Sequence, residues 1–273
     1  MKILIVDRDE ASIQIAKSKL EAAGHEVVVE PSKNAASDRV QTGGFDLVLM
    51  DPSPLENARP VISGIRRAVG NYLYIALMSE TLSKAQALEA GANGVLSKPL
   101  DPAALEQTLA NARRLLKLVS RIGDDSEDFP SAGGVIAKSA FNQLFISAMD
   151  RAGRYAEKTS LLFISVSNYQ DILEMDGGYA AEYAVAKLSQ YLVLLRRQSD
   201  IIGQTARNEY ALLLQRPGYE AEPMEAASRF AEALEKHDDI TSGGASPVEV
   251  TVSLIEIPSG ESLFSHIAAP ADR

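Results

Sequence analysis

The stretch Phe45-Asp46-Leu47-Val48-Leu49-Met50-Asp51-Pro52-Ser53 decides the fold of the first half of this chain. A short run of large apolar residues, bounded by Gly43-Gly44 and by Pro52-Ser53-Pro54, predicts a strand that is buried on both faces. Such strands occur in parallel sheets that are covered by helices. Asp51 then follows its strand, at the sheet edge where open α/β proteins bind ligands. We interpret Asp51 as a carboxylate at that edge; the alternative is an Asp that begins a turn.

Length and composition predict a globular protein of about two domains. The chain has 273 residues, and a domain usually takes ~100–200. It contains no Cys, which excludes disulfides, thiolate metal sites and thiol nucleophiles. An acid, Asp7, comes too early for a signal peptide, and no apolar run approaches the ~20 residues of a membrane span. We therefore expect a soluble, cytoplasmic protein without a membrane partner.

The net charge of −10 is unevenly distributed along the chain. Residues 1–120 carry 14 acidic and 14 basic side chains, so the whole excess of acids lies after residue 120. An acidic second half argues against nucleic-acid binding, because phosphates require a basic face. A local basic pocket for a small anion is compatible with this distribution.

Residues 1–120 contain five successive strand–helix units and predict a doubly wound (βα)5 parallel sheet. The predicted strands are residues 2–6, 27–29, 45–50, 73–77 and 95–96. Polar residues follow four of them: Asp7, Asp51, Ser79 and Lys98, the last followed by Pro99. Because the ends of parallel strands meet at one edge, we expect these four side chains to converge.

A carboxylate beside a hydroxyl and an ammonium forms a plausible phosphoryl-acceptor site. The carboxylate of Asp51 would attack phosphorus, and Ser79 and Lys98 would hold the added phosphate oxygens. A divalent cation such as Mg²⁺ normally bridges the acids and the phosphate. The strand-end residues therefore predict a phosphorylation site.

Together these residues resemble the receiver domain of two-component response regulators over residues 1–120. The resemblance implies that a histidine kinase or phosphotransfer protein phosphorylates Asp51 in a phosphorelay. It implies that Ser79 and Lys98 bind the phosphate and act in the conformational switch. It also implies that Asp7 and Asp51 bind Mg²⁺.

One position departs from the receiver pattern. The family usually has two adjacent acids after the first strand; Asp7 matches the first, but Arg8 stands at the second. Arg cannot bind a metal, although its guanidinium could pair with Asp51 and replace the charge of the cation. Asp9 lies one residue too far along unless the backbone shifts. The alternative is a pseudo-receiver that is retained for dimerisation.

Residues 121–137 are acidic and rich in Gly, Ser and Pro, a composition typical of linkers. Residues 138–273 predict a second domain. Its predicted helices are near 140–156, 180–196 and 222–236, and its predicted strands are 160–166, 210–214 and 248–255. This order predicts an α+β domain with a mixed or antiparallel sheet.

Two segments of the second domain resemble the GGDEF family of diguanylate cyclases. Asn168 to Leu173 follows the strand 160–166, and Ala206-Arg207-Asn208-Glu209-Tyr210 precedes the apolar strand 210–214. Active members have Gly-Gly-Asp/Glu-Glu-Phe in the second segment, where a hairpin holds GTP and metal. The resemblance covers roughly residues 138–265.

The hairpin departs from the GGDEF pattern in its chemistry. Ala206-Arg207 fills the space that two Gly residues leave for phosphate. Asn208 and Ser165 stand at the positions of the metal-binding acids, and Leu173 replaces the Asn that recognises guanine. Only Glu209 remains, and without two carboxylates two Mg²⁺ ions cannot be held. We therefore predict that the protein is not an enzyme.

A feature that is retained precedes the hairpin: Arg197-Gln198-Ser199-Asp200. In GGDEF domains an Arg-x-x-Asp at this distance is the inhibitory site that binds cyclic di-GMP. The Arg fork suits guanine and phosphate, and the carboxylate can accept from the guanine edge. The alternative is an Arg and an Asp that cap a helix end and pair with each other. Arg196 and Arg207 are candidate helpers.

These features predict a non-catalytic response regulator whose degenerate GGDEF domain binds cyclic di-GMP or a downstream protein partner. The first alternative is a protein-interaction scaffold that binds no ligand. The second is an active diguanylate cyclase. The helix from Pro102 is apolar on one face, which predicts packing on the receiver sheet or on a second copy in a homodimer.

Overall fold

The computed structural model describes residues 1–55, 57–236 and 240–268. They fold into two compact units. The first unit consists of Met1–Ser120, Asp150–Glu157 and Pro258–Gly260, and the second contains Arg121–Met149, Lys158–Ile257 and the residues from Glu261 onward. Within the described ranges, no helix is both long enough and apolar enough to cross a membrane.

The sheet of the first unit has five parallel strands in the order β2-β1-β3-β4-β5. They are β1 (Lys2–Val6), β2 (Glu26–Val29), β3 (Leu47–Met50), β4 (Tyr74–Ser79) and β5 (Gly94–Ser97). The helices between and after them are α1 (Glu10–Ala22), α2 (Lys33–Gly43), α3 (Arg59–Ala68), α4 (Lys84–Glu89) and α5 (Pro102–Ile122). The predicted doubly wound (βα)5 fold is confirmed.

The central strands of this sheet explain the apolar run in the sequence. All four residues of β3 are 0% exposed, because both faces of a parallel sheet are covered by helices. The chain leaves β1 at Asp7 and enters α1 through Asp9, whose side chain accepts hydrogen bonds from the backbone N–H groups of Ala11 and Ser12. This N-cap fixes the β1–α1 turn at the edge of the sheet.

The second sheet has five antiparallel strands in the order β10-β9-β6-β8-β7. Its strands are β6 (Thr159–Val166), β7 (Ile201–Ala206), β8 (Glu209–Gln215), β9 (Val250–Ile257) and β10 (Ser262–Ala268). The helices of this half are α6 (Lys138–Tyr155), α7 (Tyr169–Met175), α8 (Gly178–Leu195) and α9 (Glu222–Glu235). The predicted α+β class is confirmed.

The edge strand β10 was not predicted from the sequence. Only Ala268 of its seven residues is buried, because the strand has a neighbour on one side only. An edge strand of this kind lacks the strong apolar pattern of a central strand. Its pairing with β9 is interrupted by an irregularity between Ser262 and Phe264.

The segment predicted as a linker, residues 121–137, packs against other residues of the second unit. Ile136 pairs with Gly203 of β7. The carboxylate of Asp128 accepts hydrogen bonds from the N–H and the hydroxyl of Ser139. The carbonyl of Asp124 accepts one from the Lys138 ammonium at 2.7 Å. Its acidic residues therefore help to fix the start of α6.

Candidate functional sites

Three of the predicted receiver residues meet at one edge of the first sheet. The Nζ of Lys98 lies 2.5 Å from Asp51 Oδ2 and 2.8 Å from Asp7 Oδ2. Burial alone would lower the pKa of Lys98, but the interactions with Asp51 and Asp7 outweigh it and raise that pKa above its ordinary value. One charged ammonium therefore lies between two carboxylates, which leaves the cluster with a net negative charge.

The remaining contacts of the two acids are with backbone N–H groups. Asp7 Oδ1 accepts from the N–H groups of Arg8 and Asp9 at 2.7 and 2.9 Å, and Asp51 Oδ1 accepts from the N–H of Ser53 at 2.7 Å. Asp7 Oδ2 is buried and, despite its short distance to Lys98, has no hydrogen bond of good geometry with any described residue. These bonds hold both carboxylates in place at the ends of β1 and β3.

This donor set fits Mg²⁺, which proteins often hold through one or two carboxylates while it keeps several waters. Asp7 and Asp51 would supply the carboxylates, and Asp7 Oδ2 has unused lone pairs. No cluster of three or more acidic, His or Cys side chains suited to a metal occurs within residues 1–55, 57–236 and 240–268. Among the described residues, Asp7 and Asp51 are therefore the carboxylates that would hold Mg²⁺ at this edge of the sheet.

Neither predicted substitute for the missing acid has that role in the structure. The Nε of Arg8 donates to the carbonyl of Pro31 at 3.2 Å, and no ion pair among the described residues joins Arg8 to Asp51. The carboxylate of Asp9 caps α1 and accepts from the Ser12 hydroxyl at 2.5 Å. The interpretation that Arg8 pairs with Asp51 is therefore wrong; Lys98 is the cation beside Asp51.

The fourth predicted residue, Ser79, ends β4 beside Lys98. The N–H of Lys98 donates to the carbonyl of Ser79 at 3.0 Å, so the β4–β5 pairing holds the two residues side by side. The Ser79 hydroxyl accepts from the N–H groups of Thr81 and Leu82 at 3.2 and 3.3 Å. The hydroxyl therefore stabilises the turn after β4.

In the second unit, Glu209 begins β8 and is held by protein groups on both oxygens. Arg121 Nη1 lies 2.8 Å from Oε1 and 2.9 Å from Oε2, and the Thr205 hydroxyl donates to Oε1 at 2.7 Å. The guanidinium of Arg121 also lies over the ring of Phe163, 5.3 Å from its centroid. Sequence reasoning did not find Arg121, which lies 88 residues before its partner.

The two neutral hairpin positions also make internal contacts. The Asn208 side-chain amide donates to the carbonyl of Val166 at 2.8 Å, and the Val166 N–H donates to the carbonyl of Asn208 at 2.9 Å. Ser165 pairs with Glu209 and Thr251 in the sheet. The turn is thus tied to the end of β6 by hydrogen bonds that need no ligand.

Arg207 at the hairpin turn is paired with acids of the same unit. Its Nη2 lies 3.3 Å from Glu127 Oε1, and its Nη1 lies 3.8 Å from Glu182 Oε1. Glu182 also accepts from the hydroxyl of Tyr169 at 2.9 Å. The Arg207 side chain therefore belongs to an ion-pair network beside the hairpin. Leu173, at the position where the family has a guanine-recognising Asn, packs against the hydrophobic core of the second unit.

Arg197 and Asp200 line a cavity of about 270 Å³. Its lining residues are Arg197, Ser199, Asp200, Ile201, Leu213, Leu214, Gln215, Arg216, Pro217, Glu222, Pro223, Ala226 and Arg229. Asp200 also closes the helix-end turn, since its carboxylate accepts from the N–H of Arg197 at 2.9 Å. The Asp200 carboxylate thus stabilises the turn that follows α8, the Arg197 guanidinium pairs with Glu222, and both residues line the cavity.

The cationic residues of this cavity differ from the predicted helpers. Arg196 donates to the carbonyl of Asp200 at 2.8 Å, and Arg207 lies in the hairpin network. The guanidinium groups that accompany Arg197 in the lining belong to Arg216 and Arg229. Arg216 lies in the connection between β8 and α9, and Arg229 lies in α9. No local spacing in the sequence connects these two residues with Arg197.

Comparisons with known proteins agree with both halves of the fold. A family model for the response regulator receiver domain matches residues 3–110, and one for the diguanylate cyclase GGDEF domain matches residues 131–264. A comparison with curated proteins found no significant match.

Solved structures similar to this chain include examples of each domain. The GGDEF domain of YfiN from Pseudomonas aeruginosa is 19% identical, with 44% of this chain and 74% of that chain covered and a TM-score of 0.38. A two-component response regulator from Clostridium difficile is 23% identical, with 42% and 96% covered and a TM-score of 0.38. The chemotaxis response regulator CheY4 of Vibrio cholerae is 26% identical, with 41% and 97% covered and a TM-score of 0.37.

The two family matches occupy successive parts of the sequence and together span most of it. Their order agrees with the parallel α/β sheet of the first unit and the antiparallel sheet of the second. The chain therefore carries a response regulator receiver domain followed by a GGDEF domain, the organisation of a two-component or cyclic di-GMP signalling protein.

Proposed function

We propose that this protein is a non-catalytic response regulator. Its input is phosphorylation of Asp51 by a histidine kinase or phosphotransfer protein. Its GGDEF domain is degenerate and binds cyclic di-GMP through Arg197 and Asp200, and the liganded domain acts on a downstream protein partner. The observation that carries the proposal is a cavity with three Arg residues in the acidic half of the chain.

The chemistry at Asp51 is phosphoryl transfer to a carboxylate. An Asp51 oxygen attacks phosphorus, and the bond from phosphorus to the donor's leaving group breaks. Lys98, 2.5 Å from Asp51, neutralises negative charge that develops on the phosphoryl oxygens. Mg²⁺ held by Asp7 and Asp51 would supply further positive charge. Ser79 is the proposed phosphate contact after its hydroxyl leaves the turn at Thr81.

We propose that the protein lacks cyclase activity because the positions that would bind metal lack available carboxylates. Ser165 and Asn208 are neutral, and both oxygens of Glu209 are engaged by Arg121 and Thr205. A two-metal site for activation of a 3′-hydroxyl needs carboxylates free to bind metal. With GTP and Mg²⁺ we expect less than about one turnover in 100 s, well below the typical enzyme rate. Product at a few per second, or even at about a hundredth of that rate, would overturn this assignment.

The cavity beside Arg197 suits part of a nucleotide. Its volume of about 270 Å³ is slightly below the ~300–1,000 Å³ of most small-molecule sites. One guanine–phosphate half of cyclic di-GMP therefore enters the cavity, and the other half lies outside it. Arg197 contacts phosphate or guanine, and Asp200 accepts from the N–H groups of the guanine edge.

Titration calorimetry with cyclic di-GMP tests this binding directly. Loss of a charge-assisted hydrogen bond costs ~1.5–3 kcal/mol, so Arg197→Ala should weaken binding at least about tenfold. Asp200→Ala should mainly reduce the preference for guanine over adenine dinucleotides. Arg207→Ala is the matched control, because it removes an Arg of similar exposure, 60% against 53%, outside the cavity lining.

The scaffold alternative has its own outcome in this titration. If the wild-type protein gives no heat at tens of micromolar cyclic di-GMP, the ligand-binding proposal falls. The two domains are then protein-interaction modules, and a homodimer becomes the first interaction to measure. Equal loss of affinity in Arg197→Ala and Arg207→Ala would also reject the assigned site.

A further inference from the structure

The carboxylate of Glu222 is held in the Arg197 cavity by two donors, one on each oxygen. Arg197 Nη1 lies 2.5 Å from Oε1, and the N–H of Gly218 donates to Oε2 at 2.6 Å. These two contacts, with the Gly218 bond the larger, hold the pKa of Glu222 below its ordinary value. A charged guanidinium and a backbone N–H are also the donors that proteins use to bind phosphate.

The charges in the cavity lining place Glu222 in competition with any incoming anion. The lining contains three guanidinium groups, from Arg197, Arg216 and Arg229, and two carboxylates, from Asp200 and Glu222. One oxygen of Asp200, Oδ2, accepts from the backbone N–H of Arg197. A phosphate that approaches Arg197 therefore meets the negative charge of Glu222 at the same guanidinium.

A further cationic group in the lining has unused capacity. The Nε of Arg229 is buried and has no hydrogen-bond partner among the described residues. A buried N–H donor without a partner carries a desolvation cost. The cavity thus has one guanidinium that Glu222 occupies and another whose Nε is left without an acceptor.

We propose that Glu222 is a built-in competitor for the anionic ligand of this cavity. It occupies Arg197 in the unliganded protein, and a phosphate of the ligand displaces it. This inference rests on the proposed function, because its ligand is cyclic di-GMP. Glu222 then sets the concentration of ligand at which the site fills, and removal of its charge tightens binding.

The test compares Glu222→Gln with Glu220→Gln. The Gln at position 222 keeps the size of the side chain and an oxygen for the Gly218 N–H but loses the ion pair with Arg197. Glu220 lies two residues earlier, is 93% exposed and lies 3.8 Å from Lys158, so its substitution makes the same charge change outside the cavity. Calorimetric titrations with cyclic di-GMP are run on both variants and the wild type at one salt concentration.

Glu222→Gln should bind cyclic di-GMP about threefold to fivefold more tightly than the wild type, the range for a partly exposed ion pair. Glu220→Gln should leave the affinity unchanged. Glu222→Asp, which keeps the charge, should stay close to the wild type and serves as a second variant if the Gln protein does not fold. If only the Glu222→Gln protein binds cyclic di-GMP, the result supports the role of Glu222 as a competitor and rejects ligand binding by the wild-type protein.

Other outcomes overturn the inference and separate it from the proposed function. If the wild type binds and Glu222→Gln binds equally or more weakly, Glu222 is not a competitor, while the ligand site remains. If both Gln variants tighten binding equally, the effect is one of overall charge and the inference falls. If neither the wild type nor any variant binds, the inference and the proposed function fall together.

Discussion

Asp51 in the first domain and Glu209 in the second are acids of similar burial with different surroundings. Their side chains are 16% and 14% exposed, and each lies within 3 Å of one cationic group, from Lys98 or Arg121. Lys98 is shared with a second carboxylate, that of Asp7. Among the described residues, Glu209 is the only acid that pairs with Arg121, and it also accepts a hydrogen bond from the Thr205 hydroxyl.

The number of carboxylates per cation distinguishes the two sites. Two carboxylates with one ammonium keep a negative charge, so a metal ion can be added without loss of the existing ion pair. One carboxylate with one guanidinium is neutral, and a metal there would have to displace Arg121 and leave its charge without a partner. Two acids of similar burial, each beside a cation, thus differ in the net charge of their surroundings.

The largest effect expected from this comparison is complete loss of phosphorylation in Asp51→Asn. The amide cannot attack phosphorus as the carboxylate does. Wild-type protein incubated with a small phosphodonor and Mg²⁺ should gain label, and the variant should gain none. Glu209→Gln is the matched control and should be labelled like the wild type. Label that persists in Asp51→Asn would place the acceptor elsewhere.

A smaller effect is expected from a third carboxylate beside Asp7. Arg8→Asp should raise the affinity for Mg²⁺ about tenfold, because metal affinity follows the number of charged oxygen ligands. Magnesium titration by calorimetry measures it. Arg67→Asp, at an exposed position of α3, makes the same charge change away from the site. Equal gains in the two variants would mean that overall charge, not a new ligand, is responsible.

Removal of the cation beside Glu209 should lower stability moderately. The Arg121 side chain is 38% exposed, so solvent screening limits the loss in Arg121→Ala to about 1 kcal/mol. That loss corresponds to a fall of ~2–4 °C in Tm for a protein of this size. Thermal unfolding followed by circular dichroism measures it.

A double-mutant cycle tests whether the Arg121 effect passes through Glu209. In a Glu209→Gln background, Arg121→Ala should cost less, because the carboxylate that it would leave unpaired is gone. A cost that is unchanged in that background would assign the effect to the stacking of Arg121 on Phe163 instead.

The smallest effect concerns Asp9, which caps α1. Asn is an equally good N-cap, so Asp9→Asn should leave Mg²⁺ affinity unchanged, whereas Asp7→Asn should reduce it at least tenfold. A loss of affinity in Asp9→Asn comparable to that in Asp7→Asn would make Asp9 a metal ligand. Calorimetry on the two variants decides between these outcomes.

The contribution of Asp9 to the stability of the wild-type protein depends on pH. The Ser12 hydroxyl, more than any other group, holds the pKa of Asp9 below its ordinary value of 3.8. Because the folded-state pKa is lowered, the charged form stabilises the protein above pH 3.8, and this contribution is lost as pH falls through the folded-state pKa. Denaturant unfolding at several pH values should show a smaller acid-side loss of stability in Asp9→Asn than in the wild type, because only the contribution of Asp9 is removed and other carboxylates with lowered pKa values, such as Asp128 and Asp176, remain.

The sequence by itself determined the two fold classes and the convergence of Asp7, Asp51 and Lys98. Apolar runs that end on polar residues predict parallel strands, and the topology of such a sheet brings the ends of its strands to one edge. The neutral residues at Ser165 and Asn208 were also evident without a structure. The loss of cyclase activity that these neutral residues predict stays a prediction. The phosphorylation of Asp51 also stays a prediction.

Outside the edge of the first sheet, only the tertiary structure decided which charged groups contact one another. Arg121 and Glu209 are 88 residues apart, and Arg197 and Glu222 are 25 apart. Arg8, which follows the Asp7 of the site and could have paired with Asp51, donates to the carbonyl of Pro31 instead. Strand periodicity specifies the end of a strand, but the partner of a long, flexible cationic side chain depends on the packing and rotamers of residues distant in sequence.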